Sequence, residues 1–156
     1  MKRTVINTLV GFACATVATG VLYAANVHFK RGPTVTDNGT SLSVCASLAG
    51  LGNQDVTITV AATGSIDATC VSPGGNEAPG QNKIPFATSV TTTIKSTQIK
   101  NGNVSFCVTT PGPGPISASQ AGCPNDNWTA VVTDVEFEFA SITVEQGGKV
   151  VLQATL

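Results

Sequence analysis

The sequence predicts an all-β fold, and three observations support this prediction. Apolar and hydroxyl side chains alternate with a period of two, as in residues 56–60, which is typical of strands with one face on a core and one in water. Turn signals recur between these segments, and no amphipathic helix is predicted after residue 25. An antiparallel immunoglobulin-like β-sandwich with two disulfides fits best, and a small β-barrel is the alternative.

The first 25 residues have the layout of a secretory signal peptide. Lys2 and Arg3 supply positive charge, an apolar run extends from Leu9 to Tyr23, and the small residues Ala24 and Ala25 close the segment. The run is interrupted by Thr and Gly and is shorter than the roughly 20 apolar residues of a membrane span. We therefore expect cleavage near Ala25, a location that is extracellular or on the cell surface, and no membrane association after cleavage.

After the leader, the sequence predicts one domain. Residues 26–40 are expected to be an extended segment and residues 41–156 a β-sandwich domain. The alternation predicts strands at 41–48, 55–62, 65–71, 86–97, 103–109, 129–139, 140–146 and 149–155. Gly147-Gly148 predicts a two-residue hairpin turn, and Asn101-Gly102 is a similar turn signal. The segments 72–85 and 111–127 are rich in Pro, Gly and Asn, which predicts long loops.

The charge of the chain argues against nucleic acid as a partner. Without Lys2 and Arg3, six basic side chains remain against nine acidic ones, a net charge of −3 with no basic cluster in the sequence. Charged residues are 11 % of the chain, compared with about 25 % in a typical globular protein. Hydroxyl and amide side chains supply the polarity instead, which suits a neutral extracellular surface.

Four cysteines remain after the leader, and an even count in an exported chain predicts two disulfides with three possible connectivities. Cys45 and Cys107 are each out of phase with the apolar residues of their strands. Both side chains are therefore expected to point away from the core, where a disulfide would connect the two strands. Cys70 and Cys123 lie beside the two predicted loops. We favour the pairs Cys45–Cys107 and Cys70–Cys123. A metal site is disfavoured because the chain has no C-x-x-C pair and a single histidine.

Four segments resemble an uncharacterised family of small secreted bacterial β-sandwich proteins that has no established activity. They are GLGNQDVTITVAATGSIDATCVSPGGNEAPGQN (50–82), IKNGNVSF (99–106), GCPNDNWTAVVTDVEF (122–137) and ITVEQGG (142–148). In that family, counterparts of Cys70 and Cys123 recur, while those of Cys45 and Cys107 are often missing, which supports the favoured pairing. The resemblance implies an extracellular β domain and no catalytic residues.

The two predicted loops are candidate binding sites, because loops carry much of the recognition in β domains. The candidate residues are polar side chains together with the single tryptophan: Asn76, Glu77, Gln81, Asn82, Asn125, Asp126 and Trp128. For Trp128 the favoured interpretation is a residue of the core or its edge, the usual place of a lone tryptophan at the start of an alternating strand. No catalytic residue, cofactor or metal site is predicted, since His28 is the only histidine and lies just after the expected cleavage site.

The segment 134–139 places three carboxylates in alternation with three apolar residues. The pattern predicts that Asp134, Glu136 and Glu138 share one strand face, while the apolar residues share the other. One interpretation is a hydrolase or cation site. The favoured one is a solvated acidic face paired with lysines of neighbouring strands, such as Lys95, Lys100 or Lys149.

Three functions are compatible with these features. The first is a non-catalytic structural or adhesive protein of the cell surface or extracellular matrix, which associates with itself through edge strands. The second is an extracellular module that binds a glycan, protein or cation through loops 72–85 and 111–127. The third, a secreted hydrolase, is disfavoured because the chain lacks a histidine base and has few aromatic residues on which sugars could stack.

Overall fold

A computed structural model of the protein describes residues 26–156, and the predicted signal peptide, residues 1–25, lies outside them. The described chain forms two antiparallel sheets. The strands are β1 (His28–Asp37), β2 (Leu42–Ala49), β3 (Val56–Val71), β4 (Glu77–Pro79), β5 (Ile84–Ile94), β6 (Val104–Thr109), β7 (Thr129–Gln146) and β8 (Lys149–Thr155). A 3₁₀ helix (Ser96–Gln98) precedes β6, and a one-turn helix, α1 (Ala118–Ala121), precedes β7.

The smaller sheet has the order β1-β2-β6, and the larger one is built around β3. On one side, β3 pairs along its whole length with β7. On its other side, the first part of β3 pairs with β5 and the last part with β4. β8 pairs with the second half of β7. The predicted all-β antiparallel fold with two sheets and two disulfides is confirmed, and the curled half-barrel fits both the sandwich and the small barrel.

The core lies between the two sheets and is formed by the apolar residues of the period-two pattern. In β2 every second residue is buried, and in β3 the same alternation continues up to Ala62. Val44 and Leu48 from β2 meet Ile58 and Val60 from β3 and Ile142 from β7, all fully buried. Each such side chain contributes about 1.5–3 kcal/mol on burial.

Two pairs of predicted strands are continuous in the structure. Segments 55–62 and 65–71 form the single strand β3, and segments 129–139 and 140–146 form β7. β7 stays paired because it has register shifts opposite Thr63/Gly64 and Asp67/Ala68, where β-bulges bend the strand without ending it. At Gly64 the strands approach so closely that a Cβ atom would collide with the carbonyl oxygen of Glu136.

Residues 26–40, predicted to be an extended segment, contain β1, which pairs with β2 through an irregular register. The two segments predicted to be long loops contain short regular elements. Within residues 72–85, β4 pairs with the end of β3. Within residues 111–127, Ser117 caps α1 and Gln120 completes the capping box. The two predicted turns have the expected backbone, since Asn101, Gly102, Gly147 and Gly148 all have positive φ.

The disulfides connect different parts of the fold. Cys45–Cys107 joins directly opposite residues of β2 and β6 on the outer face of the smaller sheet. Cys70–Cys123 joins the end of β3 to the segment after α1. This connectivity is the one favoured from the sequence.

Candidate binding groove

The structure brings the two predicted binding loops together at one end of the molecule. Asn82 donates its backbone N–H to the carbonyl oxygen of Ala121 (3.2 Å) and its side-chain amide to that of Gln120 (3.1 Å). Beneath these contacts, the Cys70–Cys123 disulfide and Ala121 form a small second core. The contacts hold the loops against each other.

The candidate residues of these loops differ in their surroundings. Trp128 is half-buried and packs against the second core, as its favoured interpretation predicts. Asn125 accepts hydrogen bonds from the backbone N–H groups of Trp128 and Asn127. All of the candidate residues except Trp128 are exposed: Asn76, Glu77, Gln81, Asn82, Asn125 and Asp126. None of the seven lines the cavities around β6, which are formed by residues of β1, β2, β5 and β6 and the connection before β6.

The acidic segment of β7 is only partly as predicted. Asp134 and Glu136 are exposed and lie opposite Asp67 and Ser65, while Val135 and Phe137 face inward. The bulge at residue 138 breaks the alternation, so Phe139 lies opposite Thr63 with 48 % of its surface exposed. The prediction that the apolar residues of 134–139 all share the face opposite the carboxylates is therefore wrong at Phe139, because a bulge shifts the side-chain parity by one.

One of these carboxylates, Glu136, pairs with Lys83, which the alternation does not predict as a partner. Lys83 contacts Asp67 (2.7 Å) and Glu136 (3.0 Å), whereas Lys95 contacts Asp55 (2.8 Å). Hydrogen bonds to Asp67 and then Glu136 raise the pKa of the Lys83 ammonium group. The acidic segment is thus neutralised in part on the exposed face, as a solvated ion-pair network.

Metal ligands do not converge anywhere in the described chain. Among residues 26–156, no group of three or more His, Cys, Asp and Glu side chains is placed to hold a metal ion. His28 is exposed, and its ring Nδ1 lies 2.8 Å from the carbonyl oxygen of Asn26.

A groove lies between β5, which belongs to the larger sheet, and β6, which belongs to the smaller one. Its volume is about 610 Å³, within the range of about 300–1,000 Å³ that small-ligand sites occupy. The strands meet at one end, where the hydroxyl of Thr88 donates to the carbonyl oxygen of Pro111 (2.8 Å). The groove lies toward the other end, between residues 92–94 and 104–108.

The floor of this groove is apolar and its rim is cationic. Leu48, Ile94 and Val108 form the floor together with the half-buried Phe106, and all four belong to the main core or pack against it. The rim carries Lys30, Arg31 and Lys100, and no carboxylate lines the groove. Lys30 Nζ lies 3.4 Å from the Oδ1 atom of Asn103, and Lys100 Nζ donates to the carbonyl oxygen of Thr97 (3.0 Å).

A second, shallower cavity of about 250 Å³ lies on the outer face of the smaller sheet, over the Cys45–Cys107 disulfide. Arg31, Ser47 and Ser105 line both cavities. The hydroxyls of Ser47 and Ser105 form a hydrogen bond of 2.7 Å across the strand pair.

The groove leaves little trace in the sequence because its cations are distant in the chain. Lys30 and Arg31 lie on β1, whereas Lys100 lies in the connection between β5 and β6. One signal was present: β6 has no charged residue and no proline, so it lacks the usual protection of an edge strand.

Comparisons with known proteins do not identify the chain. No model of a known protein family matches it, and no curated protein matches it either. Over residues 26–156, none of the helices is both long enough and apolar enough to span a bilayer.

Proposed function

We propose that the protein is an exported, non-catalytic structural or adhesive component of the cell surface or extracellular matrix, and that its copies associate through unpaired strand edges. The observation that carries this proposal is the outer edge of β8, which ends the larger sheet and pairs with no other strand of residues 26–156. Such an edge is a template for pairing with another chain.

The edge of β8 differs from that of β1, which is poorly suited to pairing. β1 has two register shifts, contains Pro33 and carries Lys30 and Arg31, all of which disfavour the addition of a strand. β8 has one register shift, no proline and one charged residue at its first position. Val150 on β8 is 54 % exposed, more than any other large hydrophobic residue of the described chain.

The register of β8 shows which backbone groups face outward. Leu156 donates its N–H to the carbonyl oxygen of Ala140 (2.9 Å), so hydrogen-bonded and non-hydrogen-bonded pairs alternate from there. Gln153 lies opposite Thr143 and Thr155 opposite Ser141, both in non-hydrogen-bonded positions. Their N–H and C=O groups therefore point away from β7, toward a strand of a second copy.

Export is supported by the N-terminal sequence and by the cysteines. Residues 1–25 have the composition of a secretory leader, and disulfides persist in oxidising compartments. The resemblance to small secreted bacterial proteins supports the same location. The hydroxyl-rich outer faces and low charge suit a durable extracellular scaffold.

A proline substitution on β8 tests self-association. Gln153→Pro removes an outward N–H that β7 does not use, so it should block a second copy and preserve the fold. Gln153→Ala is the matched control, because it shortens the side chain and keeps the N–H. We expect the exported, oxidised protein to form concentration-dependent oligomers or fibres in light scattering and electron microscopy, and Gln153→Pro alone to abolish them. A strictly monomeric wild type that does not adhere to the producing cells would refute the proposal.

A further inference from the structure

The edge of β6 presents unpaired backbone groups to the groove. Thr110 donates its N–H to the carbonyl oxygen of Leu42 (2.9 Å), so this pair is a hydrogen-bonded one. Because the two kinds of pair alternate in an antiparallel ladder, the next pair along β2 and β6 is non-hydrogen-bonded, and so on in turn. Cys45–Cys107 is then a non-hydrogen-bonded pair, in agreement with its short Cα–Cα distance of 4.1 Å. It follows that Ser105, Cys107 and Thr109 direct their N–H and C=O groups away from β2.

These groups face β5, whose outer edge is also without a strand partner in residues 26–156. The groove therefore lies between two strand edges of different sheets, at the seam where closure of the barrel would require hydrogen bonds between β5 and β6. An extended chain placed in this seam would find donors and acceptors already aligned on β6. Addition of a strand to such an edge is an established mode of peptide recognition.

The charge around the seam indicates which side chains an added peptide strand would carry. Residues 26–156 carry six basic side chains against nine acidic ones, yet Lys30, Arg31 and Lys100 converge on a groove without a carboxylate. Lys83 and Lys95, by contrast, are neutralised by acidic neighbours elsewhere on the surface. The groove is thus a local positive region on an acidic protein, and it attracts an anionic partner.

The floor adds a second requirement, because it is made of core side chains. Residues of an added strand alternate between its two faces, so one set meets Ile94, Phe106 and Val108 and the other set faces the cationic rim. A segment that alternates apolar and acidic residues satisfies both. A uniformly polar anion would leave the apolar floor uncovered.

We propose that this groove is a binding site for an extended peptide segment of a partner protein that alternates apolar and acidic residues and adds to β6 as a strand. The apolar residues cover the seam, the carboxylates pair with Lys30, Arg31 and Lys100, and the outward backbone groups of β6 supply the hydrogen bonds. The site is distinct from the β8 edge, so it is independent of self-association.

The test uses a capped peptide of about seven residues, the length of a short strand, in which valine and glutamate alternate. Its control replaces every glutamate by lysine. Titration calorimetry on the oxidised protein should detect binding of the glutamate peptide, with the lysine peptide at least about tenfold weaker. Backbone amide shifts in NMR spectra should concentrate at residues 92–94 and 104–109.

Variants separate the contribution of the backbone from that of charge. Ser105→Pro removes an outward N–H and should lower the affinity for the glutamate peptide by about tenfold or more. Ser105→Ala, which loses only the hydroxyl bond to Ser47, should keep that affinity within about twofold of wild type. Thr109→Pro, with Thr109→Ala as control, repeats the backbone test if Ser105→Pro fails to fold.

The charge of the rim is tested separately. Arg31→Gln and Lys100→Gln should each lower the affinity for the glutamate peptide by about two- to fivefold, and Lys83→Gln, outside the groove, should leave it unchanged.

Three outcomes would overturn the proposal. They are no binding of the glutamate peptide at millimolar concentration, equal binding of the lysine peptide, or unchanged affinity in a folded proline variant. Polygalacturonate is titrated in parallel. If it binds, and the proline variants bind it as tightly as wild type while the glutamate peptide does not bind, the groove is a site for an anionic polysaccharide instead.

Discussion

The side-chain amide of Gln146, the last residue of β7, forms a pair of hydrogen bonds with the backbone of Gly52. Its Oε1 accepts from the Gly52 N–H (2.8 Å), and its Nε2 donates to the Gly52 carbonyl oxygen (3.2 Å) and to that of Gln54 (2.8 Å). Gln146 is 5 % exposed and is one of two buried polar residues within 26–156. It therefore fixes the loop between β2 and β3 to the end of the larger sheet.

Gln146→Leu should destabilise the protein by about 1–3 kcal/mol, because it leaves polar backbone groups of the loop without partners in a largely buried position. Urea unfolding followed by circular dichroism measures the change. The control is Gln153→Leu on the exposed edge of β8, which should change the free energy of unfolding by less than about 0.5 kcal/mol. Equal effects of the two substitutions would contradict this role of Gln146.

Gly64→Ala should destabilise the protein by about 1–3 kcal/mol or more, because an added methyl group collides with the backbone of β7 at Glu136. Gly114→Ala provides the comparison, since a Cβ at Gly114 meets no atom within 4 Å. Thermal unfolding of both variants tests this expectation. A Gly64→Ala variant as stable as Gly114→Ala would show that β7 moves away without cost.

The two disulfides should differ in their accessibility to reductant. Cys107 is exposed and Cys45 is half-buried, whereas Cys70 is fully buried in the second core. Under mild reduction with alkylation and mass spectrometry, Cys45 and Cys107 should be labelled before Cys70 and Cys123. A Cys45→Ser/Cys107→Ser variant should show no early labelling. Simultaneous labelling of all four cysteines would indicate global unfolding instead of local access.

The ion pair of Asp55 predicts a pH dependence of stability. Hydrogen bonds from Lys95 Nζ (2.8 Å) and the Ser96 N–H (2.8 Å) lower the pKa of the Asp55 carboxyl group. Its contribution to stability is therefore complete above the ordinary carboxyl pKa of about 4 and is lost as the pH falls through the lower pKa of the folded state.

Asp55→Asn should accordingly have a lower urea midpoint than wild type at neutral pH, and the difference should shrink as the pH falls through the lowered pKa of the folded state. Asp126→Asn, in an exposed turn, is the control and should change the midpoint little at neutral or acidic pH. A difference between Asp55→Asn and wild type that persists in acid would mean that the amide fails to fit sterically, and that charge has no role.

Local sequence patterns predicted much of the strand content, because strand period and turn chemistry are properties of neighbouring residues. The alternation in Val56–Val60 gave the correct buried face, and Gly147-Gly148 gave the correct hairpin. The phase of the apolar alternation also predicted correctly that Cys45 and Cys107 lie on the outer face of the smaller sheet. The same reasoning failed at Phe139, because a bulge depends on the strand opposite and leaves no mark in the local alternation.

The sequence by itself determined the all-β class, the position of most strands and the outward phase of Cys45 and Cys107, since these follow from side-chain periodicity along a single segment. Only the tertiary structure decided which edges stay unpaired and which charges meet. Lys30 and Lys100 are separated by 70 positions in the chain, and they share one groove because β1, β2 and β6 form one sheet while β5 belongs to the other. The physical reason is that pairing between distant strands depends on the register of the whole sheet, which no local pattern encodes.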